Sequence, residues 1–253
     1  MSSGKPLVLI TGANQGIGFA AAQILASTGK YHLLIGARSQ PKAEAAVQQL
    51  LSLAAAAAAT PLVIDVADDA SILAAAKLVT DRFGSLDILI NNAGISGQPE
   101  QPGLTLREKF HQVFDVNVFG VAAVTAAFLP LLRASKYHDR RIVNVTTGLG
   151  HIGMALSPTS DYNIKAWALP VYRSSKTALN MITAVDAVTL AEEGISAILA
   201  APGFTRTNFT GGHGVKDASE GAKEIVRAAT EGNPGDLVGK VVDAEHTLEE
   251  FGW

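Results

Sequence analysis

Along this chain, short runs of aliphatic and β-branched residues alternate with longer, Ala-rich segments of helical period, and most of the short runs are apolar on both faces. Alternation of this kind predicts repeated strand-helix-strand units, and burial on both faces predicts parallel strands covered by helices. A glycine-rich turn directly after the first run is the third observation. Together they predict an α/β fold, a Rossmann-type doubly wound parallel sheet of about seven strands with helices on both faces.

Taken in order, strands are expected at 7–11, 32–36, 61–65, 86–91, 141–146, 195–200 and 237–242, where aliphatic residues run together. Helices are expected between them at 15–28, 42–53, 70–83, 104–116, 118–134, 171–193 and 217–231. The six alanines 54–59 read as the frayed end of the second helix and its loop, because alanine favours helix and carries no chemistry. Segment 148–170 mixes Gly, Pro, Ser, His and Trp without period, and loops this long inside a compact domain are usually functional. No internal repeat or Pro- or Ser-rich linker divides the chain, so residues 1–253 are read as one nucleotide-binding domain.

Composition narrows the function. Twenty basic against 23 acidic side chains give a net charge of −3 with no long run of either sign, which argues against nucleic acid and membrane surfaces as partners. The absence of cysteine excludes a disulfide scaffold, a Cys-ligated metal and a thiolate nucleophile, and no metal site is expected. The first apolar run, 7–10, is too short for a signal peptide. Between Asp115 and Arg133 the uncharged stretch contains Asn117 and Pro130 and falls short of the roughly 20 apolar residues of a membrane helix. A cytoplasmic protein is expected.

Thr11-Gly12-Ala13-Asn14-Gln15-Gly16-Ile17-Gly18 follows the first strand and opens the first helix. Glycines there let the backbone approach a pyrophosphate, and the amides of a helix N-terminus offer it partial positive charge. The second strand ends at Ala37-Arg38-Ser39, where an NAD-binding chain usually presents an acid to the ribose. Arg38 instead offers a planar fork of donors suited to a phosphate, with Ser39 as a smaller partner, so NADP(H) is the expected cofactor. Asn91-Asn92-Ala93-Gly94 ends the fourth strand, at the sheet edge where such folds bind ligands. In Tyr172-Arg173-Ser174-Ser175-Lys176, the i, i+4 spacing sets phenol and ammonium on one helix face. A phenol titrating near 10 needs a nearby cation to exchange a proton at neutral pH, and Lys176 is that cation.

These motifs in this order resemble the short-chain dehydrogenase/reductase family, and within it the carbonyl-reductase-like members. The resemblance rests on 11–18, 91–94, Asn117 in Asn117-Val118-Phe119-Gly120, the Tyr172/Lys176 pair, and Pro202-Gly203 followed by Thr207. It implies Tyr172 as acid/base, Lys176 as phenol tuner and ribose ligand, and Asn117 as holder of a water in a proton relay. It also implies that Asp65 and Val66 flank the adenine, and that Asn92, Ala93, Gly94, Pro202, Gly203, Thr205 and Thr207 line the cofactor.

Two departures stand out. The family's Ser-Ser pair at the end of the fifth strand is Thr146-Thr147 here, and Thr147 takes the role of the substrate-polarising serine. Thr147 precedes Tyr172 by 25 residues, about twice the family's usual spacing, and the excess is 148–170. That insertion resembles a longer substrate mouth, with His151, Tyr162 and Trp167 as candidate contacts, and 204–216 resembles the family's mobile lid. A homodimer or homotetramer is implied, while the insertion leaves a monomer open. The function implied is NADPH-dependent reduction of a ketone or aldehyde to an alcohol, acting on a CH–OH group in the reverse sense. Two alternatives stay open: an NADP(H)-binding sensor or scaffold, and an enzyme of this fold redirected to a non-redox step in secondary metabolism.

Overall fold

The computed structural model describes residues 4–54, 56–98, 102–237 and 240–243; Trp253, the last residue of the sequence, lies outside them. The chain runs β1 (Leu7–Ile10), α1 (Gly16–Ser27), β2 (His32–Ala37), α2 (Gln40–Leu53), β3 (Ala58–Val63), α3 (Asp69–Phe83), β4 (Ile88–Asn91), α4 (Leu106–Phe114) and α5 (Gly120–Ala134). It continues through β5 (Arg140–Val145), α6 (Ile152–Leu156), α7 (Pro170–Thr189), β6 (Ile195–Ala201), β7 (Thr205–Arg206), β8 (Lys216–Asp217), α8 (Ala218–Thr230), α9 (Pro234–Leu237) and β9 (Val241–Asp243). Seven strands form one sheet in the order β3-β2-β1-β4-β5-β6-β9. All six pairings are parallel, as the sequence predicts.

Alternation along β1 explains why a strand can be apolar throughout. Val8 and Ile10 face a layer containing Leu25 of α1, Leu50 of α2 and Ile225 of α8. Leu7 and Leu9 face the opposite layer, with Ile72 of α3 and Phe128 and Leu132 of α5. Strand order reverses between β1 and β4, which opens a crevice at their carboxyl ends.

Several boundaries differ from expectation. β3 begins at Ala58, so two alanines of the polyalanine run are strand, recruited by parallel pairing of Ala58 and Ala59 with His32 and Leu33. Pro61 is tolerated because β3 is an edge strand. The expected strand 237–242 shortens to β9, with Leu237 ending α9 and residues 238–239 outside the described set.

The two helices expected at 104–116 and 118–134 join through a π turn at Asp115–Phe119, where the Gly120 N–H reaches back to Asp115 O. The joined helix, Leu106–Ala134, is long and apolar enough to cross a membrane by length and composition, which corrects the expectation that Asn117 and Pro130 interrupt it. Half of its most apolar stretch is buried in protein, with Val124, Phe128, Leu131 and Leu132 packed under the sheet. The helix from 171 ends at Thr189, and Gly194 in the left-handed conformation closes a short 3-10 turn before β6.

Candidate active site

Apart from Asn117, which sits in the π turn between α4 and α5, the expected site segments leave the carboxyl ends of strands of the seven-stranded sheet or lie in the first turns of α7, so the parallel topology gathers them on one edge. After β1 the chain turns at Gly12, whose φ of +63° suits glycine, and a β-carbon there would lie 3.0 Å from Ala93 Cα. Gly18 lets α1 approach Asn92, whose amide a β-carbon would strike. That amide donates to Thr11 O at 2.9 Å and Gly12 O at 3.2 Å, while the Thr11 hydroxyl accepts from Asn92 N and Ala93 N. The loop at β1 is thereby tied to the end of β4. Gln15 caps α1 through its extended backbone with no side-chain bond, and the first turn, including Gly16, Ile17 and Gly18, carries no acid. The N-terminal amides are left for a ligand.

Arg38 is exposed just beyond β2 and has no hydrogen bond or ion pair among the described residues, and Ser39 caps α2 by backbone alone. The carboxylate of Asp65 accepts from Ala67 N at 3.1 Å, and Val66 is buried. After β6, the Thr205 hydroxyl is turned into its own loop, donating to Pro202 O and Gly203 O. Thr207 lies beside Gly16, 3.8 Å from where a β-carbon would stand, and its Oγ1 is buried without a hydrogen-bond partner. A glycine cradle and uncapped helix amides, with Thr207 packed beside Gly16 through its Cβ and Cγ2, fit a dinucleotide pyrophosphate. Asn14 sits half-buried within that cradle.

On α7, Tyr172 and Lys176 are both buried, at 8% and 5% exposure. Lys176 Nζ donates to Val145 O at 2.8 Å and lies 3.7 Å from a β-carbon placed on Gly94. Burial pushes the ammonium down to about 8 and raises the phenol of Tyr172. The Thr146 hydroxyl is committed to Asn180 Oδ1 at 2.6 Å. Thr147, half-buried, accepts from Leu149 N at 3.3 Å. Asn117, fully buried in the π turn, clamps Ile95 in both directions, accepting from its N–H and donating to its carbonyl, each at 2.8 Å. Its second amide hydrogen goes to Ser175 Oγ at 3.0 Å.

Ser175, Asn180 and Thr183 lie outside the expected set yet hold this edge together. Asn91 Nδ2 bridges Thr125 and Asn144, and Asn144 Nδ2 donates to Thr183 at 2.8 Å, a chain of bonds from α5 through β4 and β5 to α7. Their sequence signal is the polar series Tyr172, Ser175, Lys176, Asn180, Thr183 along one helix face that is otherwise buried. The insertion is strapped to the same helix, since Gly150 O accepts from Thr177 and Asn180. His151 is buried, and the Tyr162 ring packs where Gly148 leaves no room for a β-carbon, so both hold the insertion down. Leu169, in the left-handed conformation at φ +31°, joins the insertion to α7. Such a conformation costs a branched residue roughly 1–3 kcal/mol and concentrates at functional sites.

Residues 6–217 match the family model described as short chain dehydrogenase. A short-chain dehydrogenase of Penicillium roqueforti, anuI, is 68% identical over 249 residues, 98% of each chain. Among solved structures, an NADPH-bound carbonyl reductase from chicken fatty liver is similar at a TM-score of 0.78 and 26% identity, covering 94% of this chain and 95% of that one. A 3-ketoacyl-(acyl-carrier-protein) reductase from Brucella melitensis, complexed with NADH, is similar at 0.76 and 25% identity, covering 95% and 96%.

Proposed function

Since the chain belongs to the short-chain dehydrogenase family, whose members bind a nicotinamide cofactor, we propose that it is an NADPH-dependent carbonyl reductase, reducing a ketone or aldehyde to an alcohol. The observation that carries this reading is the buried Tyr172/Lys176 pair, one turn apart on α7, with Lys176 Nζ fixed on Val145 O beside Gly94. When bound, a reduced nicotinamide supplies the hydride to the carbonyl carbon.

The chain's own groups handle the oxygen. Burial keeps the Tyr172 phenol protonated at neutral pH, so it is a donor in wait. Lys176, at about 8, is mostly charged at pH 7, and its positive field favours the phenolate left after the proton moves to the product alkoxide. Thr147 Oγ1 donates to the same oxygen and orients it, keeping the hydroxyl of the family's serine. Both amide hydrogens of Asn117 are already used, so a relay water at Asn117 would be held by its main chain. Gly12, Asn14, Gln15, Gly16, Ile17 and Gly18 would hold the cofactor's pyrophosphate, with Thr207 beside Gly16 as a further contact. Asp65 and Val66 would flank the adenine, Asn92 to Gly94 and Pro202 to Thr205 would line the walls, and Arg38 with Ser39 would meet the 2′-phosphate. The setting is the cytosol, with the long apolar helix serving the core.

Two substitutions test it. Tyr172→Phe should lower kcat for NADPH oxidation by a panel of ketones by about 10²- to 10⁴-fold while NADPH affinity changes little; equal rates would sink the mechanism. Arg38→Asp should move the preference from NADPH toward NADH by roughly 100-fold, and an unchanged ratio would remove the arginine as selector.

A further inference from the structure

We propose that the substrate carbonyl is carried on a flat aromatic ring system, selected by Phe209 of the lid and Trp167 of the insertion; this rests on the carbonyl-reductase reading and names the substrate class of that site. The lid meets the rest of the mouth through rings. Phe209 lies 5.7 Å from the ring of Tyr172 at an interplanar angle of 59°, and Trp167 lies 5.2 Å from Phe204 at 61°. These tilted, edge-on arrangements are the ones that aromatic quadrupoles favour.

Neither selecting ring is a core residue, for Phe209 is 40% exposed and Trp167 39%. The same two segments also leave the apolar side chains Ile152, Leu156, Ile164 and Val215 exposed. The lid's arginine is already engaged, as Arg206 pairs with Asp217 at 2.9 Å. Trp167 is held in place relative to the proton donor, because Arg173, the next residue after Tyr172, donates from Nη1 to Trp167 O at 2.9 Å. Just beyond Phe209, Gly211 and Gly212 both have positive φ, so the lid turns sharply after this ring.

Phe209 rests against the phenol ring of Tyr172, so a substrate seated over that phenol displaces it. Displacing it forfeits a tilted ring contact, and a flat aromatic substrate restores such contacts with Phe209 and Trp167 from the other side. A saturated ring of the same skeleton is thicker and has no quadrupole, so it restores area but not the ring geometry.

The test compares 2-tetralone with trans-2-decalone, which share a two-ring skeleton and an unconjugated ketone. Binding to the NADP⁺-saturated protein is measured by titration calorimetry, alongside NADPH-dependent reduction. The expected result is 2-tetralone binding roughly tenfold tighter, with a matching advantage in kcat/KM. Phe209→Leu and Trp167→Leu keep apolar bulk but remove the ring, and each should cut that ratio by about threefold. Equal affinities, no binding of either ketone, or a ratio that survives both substitutions overturns the proposal. Selective binding of 2-tetralone without its reduction leaves the aromatic mouth standing and overturns the reductase reading instead.

Discussion

The two edges of the sheet treat a buried arginine in opposite ways. At the amino edge, Arg141 of β5 is fully buried, and all its donors are matched: two bonds go to Asp139, and others go to the carbonyls of Ala228, Glu231 and Gly232 at the end of α8. At the carboxyl edge, Arg173 is 6% exposed, yet among the described residues it bonds only Trp167 O, and its Nη2 is buried without a partner there. Thr207 Oγ1 on the same edge is likewise unmatched. A buried polar atom without a partner costs roughly 1–3 kcal/mol, so an edge that keeps such atoms is organised for a ligand rather than for stability.

The sharpest break of that comparison replaces each arginine by methionine. Arg141→Met strands the Asp139 carboxylate and three carbonyls, and should lower unfolding free energy by about 3–5 kcal/mol in urea denaturation. Arg173→Met removes a poorly matched guanidinium and frees one carbonyl, so its loss should stay under about 1 kcal/mol. Comparable losses at the two positions would show that the edges do not differ in this way.

What could be read from the sequence divides along the same line. The glycine turn after β1 and the Tyr172/Lys176 pair are local patterns, set by spacing within one element, which puts the one at the start of α1 and the other on one face of α7. Arg141 is unreadable because three of its acceptors lie about 90 residues on, at the end of α8. Trp167 meeting Phe204 depends on how an aperiodic insertion lies against the lid. Ala58 and Ala59 carry no strand signal of their own; they become strand because β2 offers an unpaired edge. Asn117 is legible as a residue, but not its clamp on Ile95, which requires the π turn.

Lys176 sharpens the contrast through pH. Its ordinary value of 10.5 falls to about 8 in the fold, because burial penalises the ammonium. Below about 8 the side chain is charged and supports proton donation by Tyr172; above it the charge is lost. The kcat/KM for reduction should therefore be flat below pH 7 and fall about tenfold per unit well above 8. Stability should move the other way. Between about 8 and 10.5 the unfolded chain holds a proton at Lys176 that the native state has released, so this group's contribution to stability rises with pH. Urea denaturation of wild type against Lys176→Met across that window isolates the contribution, and a wild type that gains no stability relative to the variant as pH rises would contradict it.

The smallest effect sharpens the contrast within the carboxyl edge itself, because it uses one substitution on a matched and an unmatched hydroxyl there. Thr183 Oγ1 accepts from Asn144 Nδ2 and donates to Leu179 O, both at 2.8 Å, inside the buried polar chain. Thr183→Val keeps the shape but leaves the Asn144 amide unsatisfied, which should cost about 1–3 kcal/mol of stability with little change in NADPH affinity of the folded protein. Thr207→Val removes a hydroxyl that has no protein partner, so stability should stay within about 0.5 kcal/mol while NADPH binds roughly three- to tenfold more weakly. The two variants thus move different observables, stability in one and affinity in the other. Should Thr207→Val destabilise as much as Thr183→Val and leave NADPH binding intact, that hydroxyl belongs to the scaffold, and the case for a ligand-shaped carboxyl edge loses its most direct support.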